Sequence, residues 1–165
     1  MPLLLESFNN FLPNIREACY QVYGENLITL AVFGSVARGT PNPLSDIDLL
    51  LIARRLPSGR LKRMGKFMMV EDRLLSQLEE LQQIGINTTL SPVIKTPEEV
   101  LAGSLLFLDM IDDMIILYDR ENFWTLFLQD FSSRLSKLGA KKVVTGERWH
   151  WVLKPDYKEG EVFEI

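Results

Sequence analysis

Residues 33–51 read FGSVARGTPNPLSDIDLLL, and this stretch decides the fold. The apolar run at residues 27–33 predicts a buried strand that ends where Gly34 begins a turn. Residues 46–53, which read DIDLLLIA, predict a second strand. Two glycines and two prolines lie in the segment between the strands. That segment therefore has room for only a turn, a short helical segment and a loop.

The carboxylates of Asp46 and Asp48 are predicted to lie together. Residues two apart on a strand share a face, so both carboxylates point the same way while Ile47 and Leu49 point to the core. Two carboxylates this close repel each other unless a cation lies between them. Magnesium takes a few carboxylate ligands and completes its shell with water and phosphate. Taken alone, the pair is more typical of an ordinary capped strand start.

Gly34 and Ser35 predict a phosphate-binding turn beside that pair. A glycine after a strand lets the backbone approach a ligand, and a serine at the start of a helical turn offers N–H groups and a hydroxyl to phosphate oxygens. Arg38 lies one turn further on the same side, where it is expected to contact a phosphate or to hold the loop. Each residue alone is typical of turn chemistry. Together with the carboxylates they predict metal-assisted phosphoryl or nucleotidyl transfer.

This pattern resembles the nucleotidyltransferase superfamily, which includes DNA polymerase beta and the small stand-alone minimal nucleotidyltransferases. The superfamily is marked by Gly-Ser, ten residues and then Asp-x-Asp, and here residues 36–45 separate Ser35 from Asp46. The longer form of the pattern, GS-x-x-x-G followed by SD-x-DL, is also matched, at Gly39, Ser45 and Leu49.

The resemblance implies a role for each matched residue. The implied nucleotide-binding residues are Gly34, Ser35, Arg38 and Ser45, with the first two on the β- and γ-phosphates. Asp46 and Asp48 are the implied catalytic residues and the ligands of one or two magnesium ions. The implied reaction is attack of an acceptor hydroxyl on the α-phosphorus of a nucleoside triphosphate, with release of pyrophosphate.

A third carboxylate, which members that catalyse transfer usually carry on a later strand, is not evident. The strand expected to carry it, residues 86–95, reads INTTLSPVIK and contains no acid. Thr89 or Ser91 is expected at that position. Acids further along the chain are the alternatives: Glu98, Glu99 and Asp119.

The remaining pattern predicts helices alternating with short strands. Helices are predicted over residues 4–23, 65–84 and 121–138, with a further helix start at residues 96–99, and strands over residues 114–118 and 149–153. This order predicts an α/β or α+β fold with a small mixed sheet flanked by helices. We expect a single domain over residues 1–165, with a C-terminal extension from about residue 120. The last dozen residues are expected to form an extended arm.

Composition narrows the class of protein. The net charge is −4 and the pI near 5.1, which argues against a dedicated nucleic-acid coat protein. The single cysteine, Cys19, excludes an intrachain disulfide and a cysteine-based zinc site, and fits a reducing compartment. No run approaches the roughly 20 apolar residues of a membrane span. We therefore expect a cytoplasmic protein that does not enter the membrane.

Several other groups of residues have more ordinary interpretations. Six cations between Arg54 and Lys66, with no acid among them, predict a solvated loop rather than a triphosphate or RNA contact. Trp149 and Trp151 are expected to pack on the core rather than stack on a base. The only histidine, His150, is expected to be structural or exposed. The acidic residues of one further cluster are expected on a solvated face: Asp109, Asp112 and Asp113.

Three functions remain open at this point. The first is a magnesium-dependent nucleotidyltransferase that acts on a protein, RNA or small-molecule acceptor, and some small relatives of this kind act as antitoxins beside a helical protein partner. The second is a nucleotide-binding regulatory or partner-docking module without transfer, which the missing third acid favours. The third is an RNA-binding accessory domain. Oligomerisation is possible in each case.

Overall fold

The computed structural model describes residues 2–146, 148–163 and 165, and its centre is a four-stranded mixed sheet. The strands are β1 (Leu27–Phe33), β2 (Ile47–Ala53), β3 (Leu90–Lys95) and β4 (Ile115–Asp119), in the order β3-β2-β1-β4. β1 runs antiparallel to both β2 and β4, whereas β2 and β3 are parallel. The predicted mixed sheet is confirmed.

Helices cover both faces of this sheet. They are α1 (Pro2–Tyr23), α2 (Gly34–Ala37), α3 (Arg60–Gln83), α4 (Pro97–Leu101) and α5 (Phe123–Lys137), with short 3-10 turns at Gly24–Asn26, Leu105–Met110 and Arg120–Asn122. α1 and α3 pack on one face, whereas α5 and the turn at Leu105–Met110 pack on the other. Because β1 is buried on both faces, its seven residues are continuously apolar apart from Thr29.

The boundaries of three predicted elements were wrong, each for a local reason. α3 begins at Arg60 rather than at residue 65, because Gly59 at φ +90° ends the preceding loop. β3 begins at Leu90 rather than at residue 86, because the Ile86 N–H donates back to Leu81 O at the end of α3 (2.9 Å). α5 begins at Phe123, because two residues before it have left-handed backbone, Glu121 and Asn122. The capped start predicted at residues 96–99 is confirmed by the reciprocal bonds of Thr96 and Glu99.

The C-terminal part forms a hairpin, of which only the second strand was predicted. β5 (Lys141–Thr145) pairs antiparallel with β6 (Arg148–Val152) in a separate two-stranded sheet. The prediction of an extended arm was wrong, because the Lys154 ammonium pairs with Glu161 (2.8 Å) and the Tyr157 and Phe163 rings meet at 6.2 Å. Glu164 lies outside the described residues.

The expectation for the two tryptophans was correct for one of them. Trp151 packs against the cluster of buried side chains around α5, and Trp149 lies outside both core clusters. His150 is exposed, as expected. Among the described helices, none is long and apolar enough to cross a membrane.

Candidate functional site

The end of β1 and the start of β2 bring Gly34 against Asp48. Phe33 is paired with Asp48 in the antiparallel ladder, so the next residue, Gly34, turns away directly above that carboxylate. Gly34 has φ +74°, and a Cβ built there would overlap the Asp48 Oδ2. Only glycine therefore fits here on two counts, its backbone conformation and its contact with Asp48.

A tight turn follows Gly34 and leaves Ser35 at its start. The Arg38 N–H donates to Gly34 O (3.1 Å) and the Thr40 N–H donates to Ser35 O (3.0 Å). The first N–H groups of such a turn have no partner within it. The Ser35 side chain is half-buried, and the sequence prediction that it binds phosphate is compatible with this position.

Asp46 and Asp48 lie one strand away from this turn and on the same side of the chain. Ile47, which lies between the two aspartates, and Leu49, which follows them, are fully buried, as the alternation of side chains along a strand predicted. Burial raises the pKa of the Asp48 carboxyl above its ordinary 3.8, and the negative charge of Asp46 raises it further. A hydrogen bond from Ser91 and the positive charge of Arg38 oppose that rise. A cation at this point would remove the repulsion between the two carboxylates.

Two hydroxyl side chains, one on β3 and one directly before it, complete the site where a third carboxylate was sought. β2 and β3 pair in parallel register with Ser91 beside Asp48. The Thr89 Oγ1 donates to Asp46 Oδ1 (2.7 Å). Among residues 2–146, 148–163 and 165, no group of three or more His, Cys, Asp or Glu side chains is placed to hold a metal. The oxygen donors that are present nevertheless fit a hard cation such as magnesium.

The alternative acids lie elsewhere, so they cannot supply the third carboxylate. Asp119 is paired with Thr29 in the sheet, four residues along β1 from Phe33, or about 13 Å at strand spacing. Its carboxylate accepts from the Thr29 hydroxyl (2.9 Å) and from the first N–H groups of α5, those of Trp124 (2.9 Å) and Thr125 (3.0 Å). Asp119 therefore anchors a helix start.

Glu98 and Glu99 begin α4 beyond the far end of β3. Glu99 forms a two-pronged ion pair with Arg63, with distances of 2.7 and 3.0 Å. Arg63 also donates to Pro57 O (2.9 Å) and Ile94 O (3.2 Å). The expectation of a solvated loop was therefore wrong for the four cations that lie on α3, Arg60, Lys62, Arg63 and Lys66. Of these, Arg63 fixes the loop and α4 to the edge of the sheet.

The remaining predicted residues, Arg38 and Ser45, lie on the rim of the site. The Ser45 hydroxyl accepts from the Asn42 N–H (2.9 Å), and Thr88 donates to the Ser45 carbonyl (2.8 Å). Ser45 therefore shapes the loop before β2, and nucleotide binding by its hydroxyl stays a prediction. The Arg38 guanidinium carbon lies 5.2 Å from the centre of the Trp149 ring, a contact that the sequence did not indicate.

The sequence is similar to one described protein family and to one named protein. A family model described as a nucleotidyltransferase domain matches residues 12–99. A protein of Methanocaldococcus jannaschii named "Putative protein adenylyltransferase" is 33% identical over 145 residues, which cover 87% of this chain and 92% of that protein.

Two solved structures give weaker likenesses. A chain described as "a putative nucleotidyltransferase from Sulfolobus solfataricus" is 22% identical, with a TM-score of 0.41 over 70% of this chain and 86% of that one. A chain of a toxin–antitoxin complex with AMP-PNP is 19% identical, with a TM-score of 0.46 over 74% and 88%.

Proposed function

The chain belongs to the nucleotidyltransferase domain family, and on that basis we propose that it binds magnesium-ATP and transfers the adenylyl group to a hydroxyl of a protein. The family supports a transferase. The choice of adenylyl group and of a protein acceptor is supported by the name of the relative that is 33% identical.

The observation that carries this proposal is the contact between Gly34 and Asp48. A turn that offers free N–H groups to phosphate oxygens lies directly above a half-buried carboxylate. A triphosphate on that turn is thereby held beside the carboxylate pair. The backbone at Gly34 admits only glycine, and the missing side chain leaves room for a metal-bound phosphate close to Asp48.

Asp46 and Asp48 would hold the magnesium, and Thr89 and Ser91 would orient the two carboxylates through hydrogen bonds. Bound there, the metal would neutralise charge on the triphosphate and on the departing pyrophosphate. Gly34 and Ser35 would bind the β- and γ-phosphates and leave the α-phosphorus exposed to the acceptor. Arg38 would add a positive charge at the rim of the site.

In the proposed reaction an acceptor oxygen attacks the α-phosphorus. A new phosphorus–oxygen bond forms, the bond from the α-phosphorus to the bridging oxygen breaks, and pyrophosphate leaves. Both site carboxylates are assigned to the metal, so the acceptor proton passes to water. Loss of a dedicated general base costs about 10²–10⁴-fold, and we therefore expect slow transfer.

A second candidate function is supported by the hydroxyls of Thr89 and Ser91. Their place beside the carboxylates is where a third acid would complete the site for catalysis. In that case the protein binds magnesium-ATP as a regulatory or partner-docking module and transfers nothing. We propose a cytoplasmic location in either case, since both functions depend on ATP.

The test adds the purified protein and labelled ATP to a cell extract and measures transfer of the label to other molecules. In bands that are absent without the purified protein, we expect label from α-labelled ATP and none from γ-labelled ATP. Protease should remove these bands and ribonuclease should leave them. Asp46→Asn should abolish the label. Magnesium-dependent ATP binding without label would favour the regulatory module, and ribonuclease-sensitive label would identify an RNA acceptor.

A further inference from the structure

The exposed ring of Trp149 contacts two cations at the edge of the proposed ATP site. Trp149 lies on β6 and is 39% exposed. The guanidinium carbon of Arg38 lies 5.2 Å from the ring centre, and the Lys142 ammonium lies 5.3 Å from it. Both distances are within the range of a cation–π contact. This ring and the turn after Gly34 are therefore linked by a direct contact.

Trp149 is fixed from behind by the segment that precedes β4. Its indole N–H donates to Asp109 Oδ1 (3.3 Å), and Lys142 on the neighbouring strand pairs with Asp112 (2.7 Å). On the same strand, Trp151 packs against the cluster of buried side chains around α5. The indole is thus held at several points, and the arginine that contacts it has its own mobility reduced.

We propose that Trp149 is a positioning residue that holds the Arg38 guanidinium toward the triphosphate. Arg38 is an exposed side chain near Asp48, and a free guanidinium there would either turn into solvent or pair with that carboxylate. The contact with the Trp149 ring favours a single position for the Arg38 guanidinium. This inference rests on the proposed function, and it concerns a hairpin that lies outside the segment 12–99 that the family model matches.

The two cations also argue against a nucleobase on this ring. Like charges repel, so two cations at about 5 Å from one ring centre favour opposite faces of it. A base would then have to displace one of them. The proposed role of Trp149 therefore concerns the phosphates, and the base is not involved.

The experiment compares equilibrium binding of magnesium-ATP with that of magnesium-tripolyphosphate, which has no base. Trp149→Ala should weaken both by the same factor, about 2- to 30-fold for a cation–π contact. Trp149→Phe should largely restore both. In an Arg38→Ala background, Trp149→Ala should have no further effect. Tyr157→Ala, which removes another exposed aromatic ring of the C-terminal segment, should leave both affinities unchanged.

Three results would overturn the inference while the proposed function stands. A loss confined to ATP would show that Trp149 stacks on the base, and a loss that persists without Arg38 would show that it acts through another group. Unchanged binding of both ligands by Trp149→Ala, in a protein whose far-UV spectrum is native, would overturn it as well. Failure of the unsubstituted protein to bind either ligand would overturn the proposed function and this inference together.

Discussion

Replacing Gly34 with alanine should remove ATP binding at a cost in stability that can be measured separately. At φ +74° an alanine pays about 1–2 kcal/mol for its left-handed backbone. Its Cβ would also overlap the Asp48 carboxylate, which must then rotate or move. The first effect lowers stability, whereas the second removes a proposed magnesium ligand from its place.

Gly39→Ala provides a matched control for the backbone effect. Gly39 has φ +72° in the same turn, and a Cβ there would meet only the Leu5 side chain, at 3.9 Å. Both variants should therefore lose about 1–2 kcal/mol without ligand, and only Gly34→Ala should also disturb Asp48.

Thermal unfolding with and without magnesium-ATP separates the two effects. Ligand at 100 times its dissociation constant adds about 2.7 kcal/mol, or roughly 5–10 °C for a chain of this size. The unsubstituted protein and Gly39→Ala should show that shift, and Gly34→Ala should not. An equal shift in both variants would refute the argument that the contact between Gly34 and Asp48 builds the site.

Three further predictions concern the residues around the site. Ser91→Asp should add the third carboxylate, so it should lower stability without magnesium and raise the rate of label transfer with magnesium. The control variant Ser91→Asn should have neither effect. An unchanged rate of label transfer for Ser91→Asp would contradict the account. Asp119→Ala leaves the fully buried Thr29 hydroxyl unpaired and the start of α5 uncapped. Urea unfolding should therefore show a loss of about 2–4 kcal/mol in stability, while the ATP affinity of the folded protein should stay unchanged. Weaker ATP binding would place Asp119 in the site after all. Hydrogen bonds from Arg63 hold the pKa of Glu99 below its ordinary 4.5, so the stability they add is present above pH 4.5 and is lost as the pH falls through the lowered pKa. Urea unfolding of Arg63→Met should show a smaller loss of stability over that acid range than the unsubstituted protein shows. Parallel curves of stability against pH for the two proteins would show that the pair contributes nothing.

The local part of the site could be predicted because short-range rules decide it. Alternation along β2 places Asp46 and Asp48 on one side of the chain and buries Ile47. A glycine after a strand followed by a serine indicates a turn that can accept phosphate. These features involve neighbours in sequence, and the structure places them as the pattern requires.

Contacts between distant segments could be named only as alternatives or not at all. Thr89 or Ser91 was expected near the carboxylates, but the parallel register of β2 and β3 decides that Thr89 bonds Asp46 while Ser91 lies beside Asp48. A run of cations gives no sign that one of them, Arg63, is committed to an acid 36 residues away. The contact between Arg38 and the C-terminal hairpin likewise depends on packing.

The most direct test of the central claim is equilibrium binding of labelled ATP, with and without magnesium, to the unsubstituted protein, Asp48→Asn and Asp119→Asn. The asparagine at position 48 keeps the size of the side chain and removes the charge that a metal requires, while position 119 controls for loss of an acid elsewhere in the sheet. We predict magnesium-dependent binding that Asp48→Asn loses and Asp119→Asn retains. Binding that is independent of magnesium, or equal in Asp48→Asn and the unsubstituted protein, would contradict the assignment of this site.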